Sequence, residues 1–389
     1  MLNNPFRSFW MAGFECTDKL NCFGNRVDFL KVTGHLENIE EDYQNLGLFD
    51  ISTVREGIRW SVVERSPYHY DWSDVKRMID CAIENDIQIV WDICHFGFPD
   101  DLTPLHPMFA RRFARLCSAF VKYYRSLGLS DKLVITPINE VSFLSWLGGE
   151  ACGTVPYCRG YGWEVKYALA KAYIEAIEAI READDNVVIM ATEPLANMVP
   201  RTNATELEII HAARVNEDQF QVMDILMGRI CPELRGNSSL VDIVGVNYYH
   251  DNQWIVGTHE YLPWANENND PRWQPLSALM NSLYDRYQKP LVLTETSHPG
   301  EHKPNWITSV TEQCKVALSM GVPLIGICWY PIIDRPDWDF LHPWHKAGIW
   351  DVETTVDGKL VRVLDSVAAN ALLDAQTLLA SYCSEKVQL

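Results

Sequence analysis

The stretch Leu133-Val134-Ile135-Thr136-Pro137-Ile138-Asn139-Glu140 decides how the chain is read. It is an almost unbroken apolar run that stops abruptly at two polar residues. Such a run suits a strand covered on both faces, as in a parallel sheet, better than the alternating pattern of a sheet with one wet face. Similar runs recur along the chain at Phe9–Phe14, Ile51–Trp60, Ile87–Cys94, Val187–Thr192, Ile243–Tyr248, Leu291–Thr294 and Leu324–Tyr330. Between them lie helical patterns near 36–47, 73–86, 107–127, 163–183, 205–229, 275–288 and 305–320, with a last one near 364–381. In Trp163–Ala183 the apolar residues Val165, Leu169, Ala172, Ala176 and Ile180 recur at spacings of three and four, the stripe of an amphipathic helix. Alternating strands and helices of this number predict an α/β protein, a single (β/α)8 barrel spanning 1–389. The competing reading is a doubly wound open sheet. It loses ground because no Gly-x-Gly-x-x-Gly follows the first strand and no phosphate-binding Gly-x-x-x-x-Gly-Lys-Ser/Thr occurs. Gly148, Gly149, Gly160 and Gly162 read as turn residues.

Composition narrows the function. The 389 residues carry 52 acidic and 33 basic side chains, a net charge of −19, and are 47% hydrophobic. That acidity speaks against a general binder of nucleic-acid backbones, which needs a basic face. No apolar run reaches the roughly 18 residues of a membrane span; Gly321–Ile333 is too short. Met1–Arg7 has no basic region followed by an apolar core, so no signal peptide is expected. The 11 cysteines are odd in number and scattered, which suits a reducing cytoplasm. Cys16/Cys22 and Cys152/Cys158 read as structural or incidental. A cytoplasmic protein is expected, without membrane, nucleic-acid, metal or cofactor partners; the oligomeric state is not readable.

In a (β/α)8 barrel, chemistry gathers at the C-terminal ends of the strands. Those ends read Gly57-Ile58-Arg59-Trp60, Asp92-Ile93-Cys94-His95, Pro137-Ile138-Asn139-Glu140, Thr192-Glu193-Pro194, Val246-Asn247-Tyr248-Tyr249, Thr294-Glu295-Thr296 and Cys328-Trp329-Tyr330. Burying so many polar groups on one rim is costly unless they pair with each other or with a ligand. Two carboxylates across a cleft are what glycoside hydrolysis needs: one protonated, to release a poor leaving group, and one ionised, to meet the oxocarbenium-like centre. An apolar surround would keep one glutamate protonated, and Arg59 would keep the other ionised.

The set resembles the glycoside hydrolases of clan A. Their acid/base follows strand 4, matched here by Asn139-Glu140. Their nucleophile ends strand 7, matched by Leu293-Thr294-Glu295-Thr296. Within the clan it is most similar to the family 1 β-glycosidases, through His35–Tyr43 with Leu46-Gly47, Gly57–Ser61, and Trp329–Asp334 with Asp337-Trp338 and Gly348–Asp351. It departs from that family in having Val141 where proline usually follows the acid, and Thr296-Ser297 where Asn-Gly usually follows the nucleophile. The chain is also shorter than typical, which suggests trimmed loops and a more open cleft.

The resemblance implies a retaining β-glycosidase with Glu295 as nucleophile and Glu140 as acid/base, acting on a carbohydrate or glycoside. Arg59 and Tyr248 would hold Glu295, Asn139 would bind the sugar 2-hydroxyl, His95 another hydroxyl, and Trp329 would wall the sugar's C–H face. Glu15 and Trp338, the latter with Asp334 or Asp337, would line the sugar pocket. Trp146, Trp163 and Trp254 are candidate leaving-group platforms. His342 and His345 do not complete a metal set, and Lys346 is a candidate for a phosphorylated sugar. A sugar-binding barrel without catalysis, a transglycosylase and a metal-dependent barrel hydrolase remain alternatives. Sugar, linkage and aglycone are not readable.

Overall fold

The computed structural model describes residues 4–265 and 270–387. Eight parallel strands close into a barrel. In chain order they are β1 (Trp10–Gly13), β2 (Thr53–Gly57), β3 (Gln88–Cys94), β4 (Val134–Ile138), β5 (Val188–Pro194), β6 (Ile243–Asn247), β7 (Leu291–Thr296) and β8 (Leu324–Trp329). Each pairs with its sequence neighbours and β8 closes onto β1, as in Trp10↔Ile327 and Ala12↔Val54. The chain is a single (β/α)8 barrel. Among the described residues no helix is long and apolar enough to cross a membrane, and the ten described cysteines are free.

Strand parity builds two cores. Met11, Val90, Val134, Val188, Met190, Ile243, Val292 and Cys328 fill the barrel interior. The opposite faces, among them Val54, Trp91, Ile135, Ile189 and Leu293, pack against the surrounding helices. At the barrel's mouth Gly13 is required by contact: a Cβ there would lie 2.0 Å from the ring of Tyr330.

Departures from the sequence expectation have local causes. The second run ends at Gly57, because Trp60 turns away into a short helix, Trp60–Val63. The long 205–229 pattern is two helices, Glu206–Asp218 and Gln221–Leu226, the first opened by a Thr205/Glu208 capping box. The helix Val141–Gly149 follows β4 directly and was not expected. Its residues are apolar almost all round, so no helical stripe stands out in the sequence. A hairpin, Trp350–Thr354 with Leu360–Leu364, and a small sheet, Asn197–Val199 with Gln253–Ile255, complete the chain's strands among the described residues.

A buried polar network ties the hairpin to the barrel. His35, stacked on Phe14, faces Asp42 through Nδ1 at 2.7 Å and Glu56 through Nε2 at 2.8 Å. Tyr43 also donates to Glu56, and Arg362 of the hairpin donates twice to Asp42. Burial disfavours the imidazolium, but Glu56 and Asp42 outweigh it and push its pKa up to about 9. A raised pKa contributes stability that is whole below the unfolded value near 6.5 and is lost as pH rises through about 9. Urea unfolding at the two ends of that window should show the wild type losing on the order of 3 kcal/mol more than His35→Gln. Parallel losses in both proteins would contradict the assignment of a charged His35.

Candidate active site

The rim of the barrel is organised around a buried arginine. In β2, Val54 and Glu56 face the helices, so alternation turns Arg55 inward, where it is 1% exposed. Its Nη2 donates to Asp92 Oδ2 at 2.6 Å and to Asn139 Oδ1 at 3.2 Å. Its Nη1 donates to the carbonyl of Thr294 at 2.7 Å and to Glu295 Oε1 at 3.0 Å. The Tyr330 ring lies 5.2 Å from the guanidinium carbon. Burial works against the guanidinium charge, but Asp92 and Glu295 outweigh it and raise its pKa further. Four strands are thus joined through one side chain.

Glu295 reaches this site through an irregularity in β7. Leu293 belongs to the outer core, and the Thr294 hydroxyl donates inward to Asn247 Oδ1 at 2.6 Å. Simple alternation would turn Glu295 outward again. The register with β6 shifts here, from Val246↔Leu293 to Asn247↔Glu295. Such a slip re-aims a side chain. Both carboxylate oxygens are then engaged, Oε1 by Arg55 and Oε2 by the Tyr249 hydroxyl at 2.8 Å.

Glu140 occupies the residue between β4 and the helix Val141–Gly149, in a left-handed conformation with φ 47° and ψ 61°. For a non-glycine residue this costs on the order of 1–2 kcal/mol, a strain typical of functional turns. Its backbone N–H is held by the carbonyl of Thr192, and its Oε1 accepts from Asn247 Nδ2 at 2.8 Å. Burial first, and then the charge of Glu295, hold its pKa well above the carboxylate range, against the opposing Asn247 hydrogen bond.

A second cluster adjoins the pair. His95 is stacked on Tyr330 and held by Asp92 through Nδ1 at 3.0 Å. Its Nε2 faces Asn139 Nδ2 and the Tyr330 hydroxyl, each at 3.4 Å, and Glu15 at 3.9 Å. Burial opposes the imidazolium, but Asp92 and Glu15 raise the His95 pKa. Glu15 accepts from both Thr17 donors and from Trp338 Nε1 at 3.3 Å, and forms an ion pair with Arg335 Nε at 3.1 Å. Burial would raise the Glu15 pKa, but Arg335 and His95 bring it below the usual value. Phe143 lies between Trp338 and the half-exposed Trp146, making an aromatic path outward. Cys16, Asp92 and His95 are close enough to share a metal ion. Arg55 and His95 already share one Asp92 oxygen, so the positive charge at that carboxylate is supplied by protein.

Of the residues predicted from sequence, Glu140, Glu295, Asn139, His95, Glu15 and Trp338 converge here. Three do not. Arg59 lies beyond the end of β2 and pairs with Asp28 and Asp74, far from Glu295's hydrogen bonds; Arg55 takes the expected place. Tyr248 lies under the rim, stacked on Trp306, its hydroxyl accepting from Gln253; its neighbour Tyr249 meets Glu295. Trp329 ends β8 facing the outer core, fully buried with its indole N–H on the carbonyl of Ala347, so it does not wall the site; the next residue, Tyr330, faces inward instead. Asp334 and Asp337 accept from loop amides instead of facing the carboxylate pair. Lys346 faces Asp351 at the surface. Trp163 is half-exposed beside Tyr167, and Trp254 lies in the small sheet. Alternation within Thr53–Gly57 was the signal that singles out Arg55. Arg335 had no comparable signal, since its partner Glu15 is distant in sequence.

No family model matches the chain, and no curated protein sequence does. Solved structures match along nearly its whole length. A family 1 β-glucosidase from Thermotoga maritima superposes with a TM-score of 0.72 at 14% identity, covering 95% of this chain and 97% of its own. The β-glucosidase from Thermotoga maritima in complex with castanospermine gives 0.72 at 17% identity, covering 95% and 97%. The AHE enzyme from Alicyclobacillus herbarius gives 0.72 at 16% identity, covering 90% and 87%. The chain therefore has the fold of the family 1 β-glucosidases.

Removing Arg55 should be far more costly than removing its neighbouring hydroxyl. Arg55→Met takes the guanidinium from the buried Asp92 and Glu295 and is expected to lower the unfolding free energy by about 3–5 kcal/mol. Tyr249→Phe leaves Glu295 its guanidinium and should cost about 1–2 kcal/mol. Urea denaturation compares them, and equal costs would contradict Arg55 as the organising charge.

Proposed function

We propose that the chain is a divergent relative of the family 1 β-glycosidases, acting as one catalytic unit that cleaves β-glycosides by double displacement. The observation that carries this reading is the unequal treatment of two buried glutamates. Glu295 is tied to a guanidinium and a hydroxyl, while Glu140 is held protonated by burial and by the charge of Glu295. That is the division of labour that glycoside hydrolysis requires.

In the first step Glu140 protonates the glycosidic oxygen and Glu295 attacks the anomeric carbon, forming a glycosyl ester. Esterification removes the negative charge of Glu295. The Coulomb repulsion that helped to keep Glu140 protonated goes with it, so Glu140 becomes the better base just when water must be activated. Water then attacks the anomeric carbon, the bond from that carbon to Glu295 breaks and releases its carboxylate, Glu140 takes the water's proton, and the β-configuration is retained. Arg55 and Tyr249 hold Glu295 in place. Asn139 is fixed by Arg55, by the Thr192 hydroxyl at 2.8 Å and by Asn247, and is set to meet the sugar 2-hydroxyl. His95, Glu15 and Trp338 offer polar partners to the remaining hydroxyls, and the Tyr330 ring lies against His95 and Arg55. Neighbours of the same fold were solved with glucoimidazole and with deoxynojirimycin bound, which supports a sugar-sized occupant.

A panel of aryl β-glycosides tests the reading. Wild type should cleave at least one of them, and Glu295→Gln should be inactive on all. Glu140→Gln should lose about 10²–10⁴-fold on poor leaving groups and much less on activated phenols, which need no acid. Undiminished cleavage by Glu295→Gln would overturn the assignment.

A further inference from the structure

Glu193 takes no part in the reaction just described, yet it is built into the turn that carries Glu140. It lies next to the end of β5 and is 6% exposed. Its Oε2 accepts the backbone N–H of Ser142 at 3.1 Å, and the amide of Val141 also faces it. One residue earlier in β5, the carbonyl of Thr192 accepts the N–H of Glu140 at 3.0 Å. The end of β5 therefore grips both sides of the left-handed Glu140. The remaining oxygen, Glu193 Oε1, is buried without a hydrogen-bond partner. A neutral side chain would cap the same amides at lower desolvation cost. A carboxylate here suggests that its charge has a use.

We propose that Glu193 is a positioning residue for Glu140, locking the left-handed turn and setting a carboxylate charge beside the Glu140 carboxyl across that turn. The proposal rests on the assignment of Glu140 as acid/base. Groups face Glu193 from every side. The helix Val141–Gly149 presents its first amides, and β4 leads into Glu140. The helix Gly162–Ala183 contributes Lys166 and Tyr173. Lys166 donates to Gln221 at 2.8 Å and has Asp218 as a second acidic neighbour. Burial pushes the Glu193 carboxyl up to about 7, against the Ser142 backbone N–H and Lys166. Its charge thus appears in the pH range where a protonated Glu140 is needed, and that charge raises the Glu140 pKa.

The test is the pH profile of kcat/KM for Glu193→Gln, which keeps size and a hydrogen-bond acceptor but removes the charge. Its alkaline limb should move to lower pH by roughly half a unit or more, with the plateau reduced less than tenfold. A limb that stays in place, whatever the loss in rate, overturns the proposal and leaves Glu193 a structural cap. Carboxyl ¹³C titration of the wild type reads the same coupling without this variant or any substrate, with Glu140 assigned from Glu140→Gln. The Glu140 resonance should respond as Glu193 ionises near neutral pH, and no response overturns the proposal. Failure of the acid/base assignment would appear separately, as full activity in Glu140→Gln.

Discussion

A guanidinium sealed inside the mouth of the barrel sets the conditions for everything around it. Arg55 has no access to water, so its charge must be met by protein. Asp92 and Glu295 meet it, and Asn139 and the Thr294 carbonyl take its remaining donors on that edge. These partners come from β3, β4 and β7. Their positions around the rim are therefore fixed by one side chain. Asp92 then sets the ring orientation of His95, and Glu295 raises the Glu140 pKa through space. The site is a chain of charges, each holding the next.

The fold was legible because parallel barrel strands are apolar throughout, and such runs stand out against amphipathic helices. Glu140 and Glu295 were legible because polar residues ending those runs are conspicuous. Arg59 misled because Ile58 and Trp60 extend the apolar run past Gly57, where the strand in fact stops. The parity of Thr53–Gly57 carries the inward position of Arg55, but only once the strand end is known. Tyr248 and Tyr249 differ by one position, and that single step separates a ring packed under the rim from a hydroxyl on Glu295. The pairing of Glu15 with Arg335 brings together the two ends of the chain, which periodicity does not report.

Two features lie outside anything a motif conveys. The register shift in β7 turns Glu295 toward Arg55, and the left-handed backbone at Glu140 aims its side chain toward Asn247. Both are backbone irregularities at strand ends, and both are held by neighbouring strands. A barrel can therefore keep its fold at 14–17% identity to β-glucosidases while the residues after each glutamate change. Val141 and Thr296 replace the residues usual in that family, and the geometry around the two carboxylates rests on strand-to-strand hydrogen bonds.

In the proposed double displacement, Glu295, paired with Arg55, becomes covalently bonded to the sugar. Mass spectrometry of peptides after treatment with a 2-deoxy-2-fluoro-β-glycosyl fluoride tests it most directly, using the sugar that the protein cleaves. One adduct per chain is expected, on the peptide containing Glu295, and it should disappear on prolonged incubation with an acceptor. An adduct on another carboxylate, or none in a protein that cleaves the parent glycoside, would contradict it.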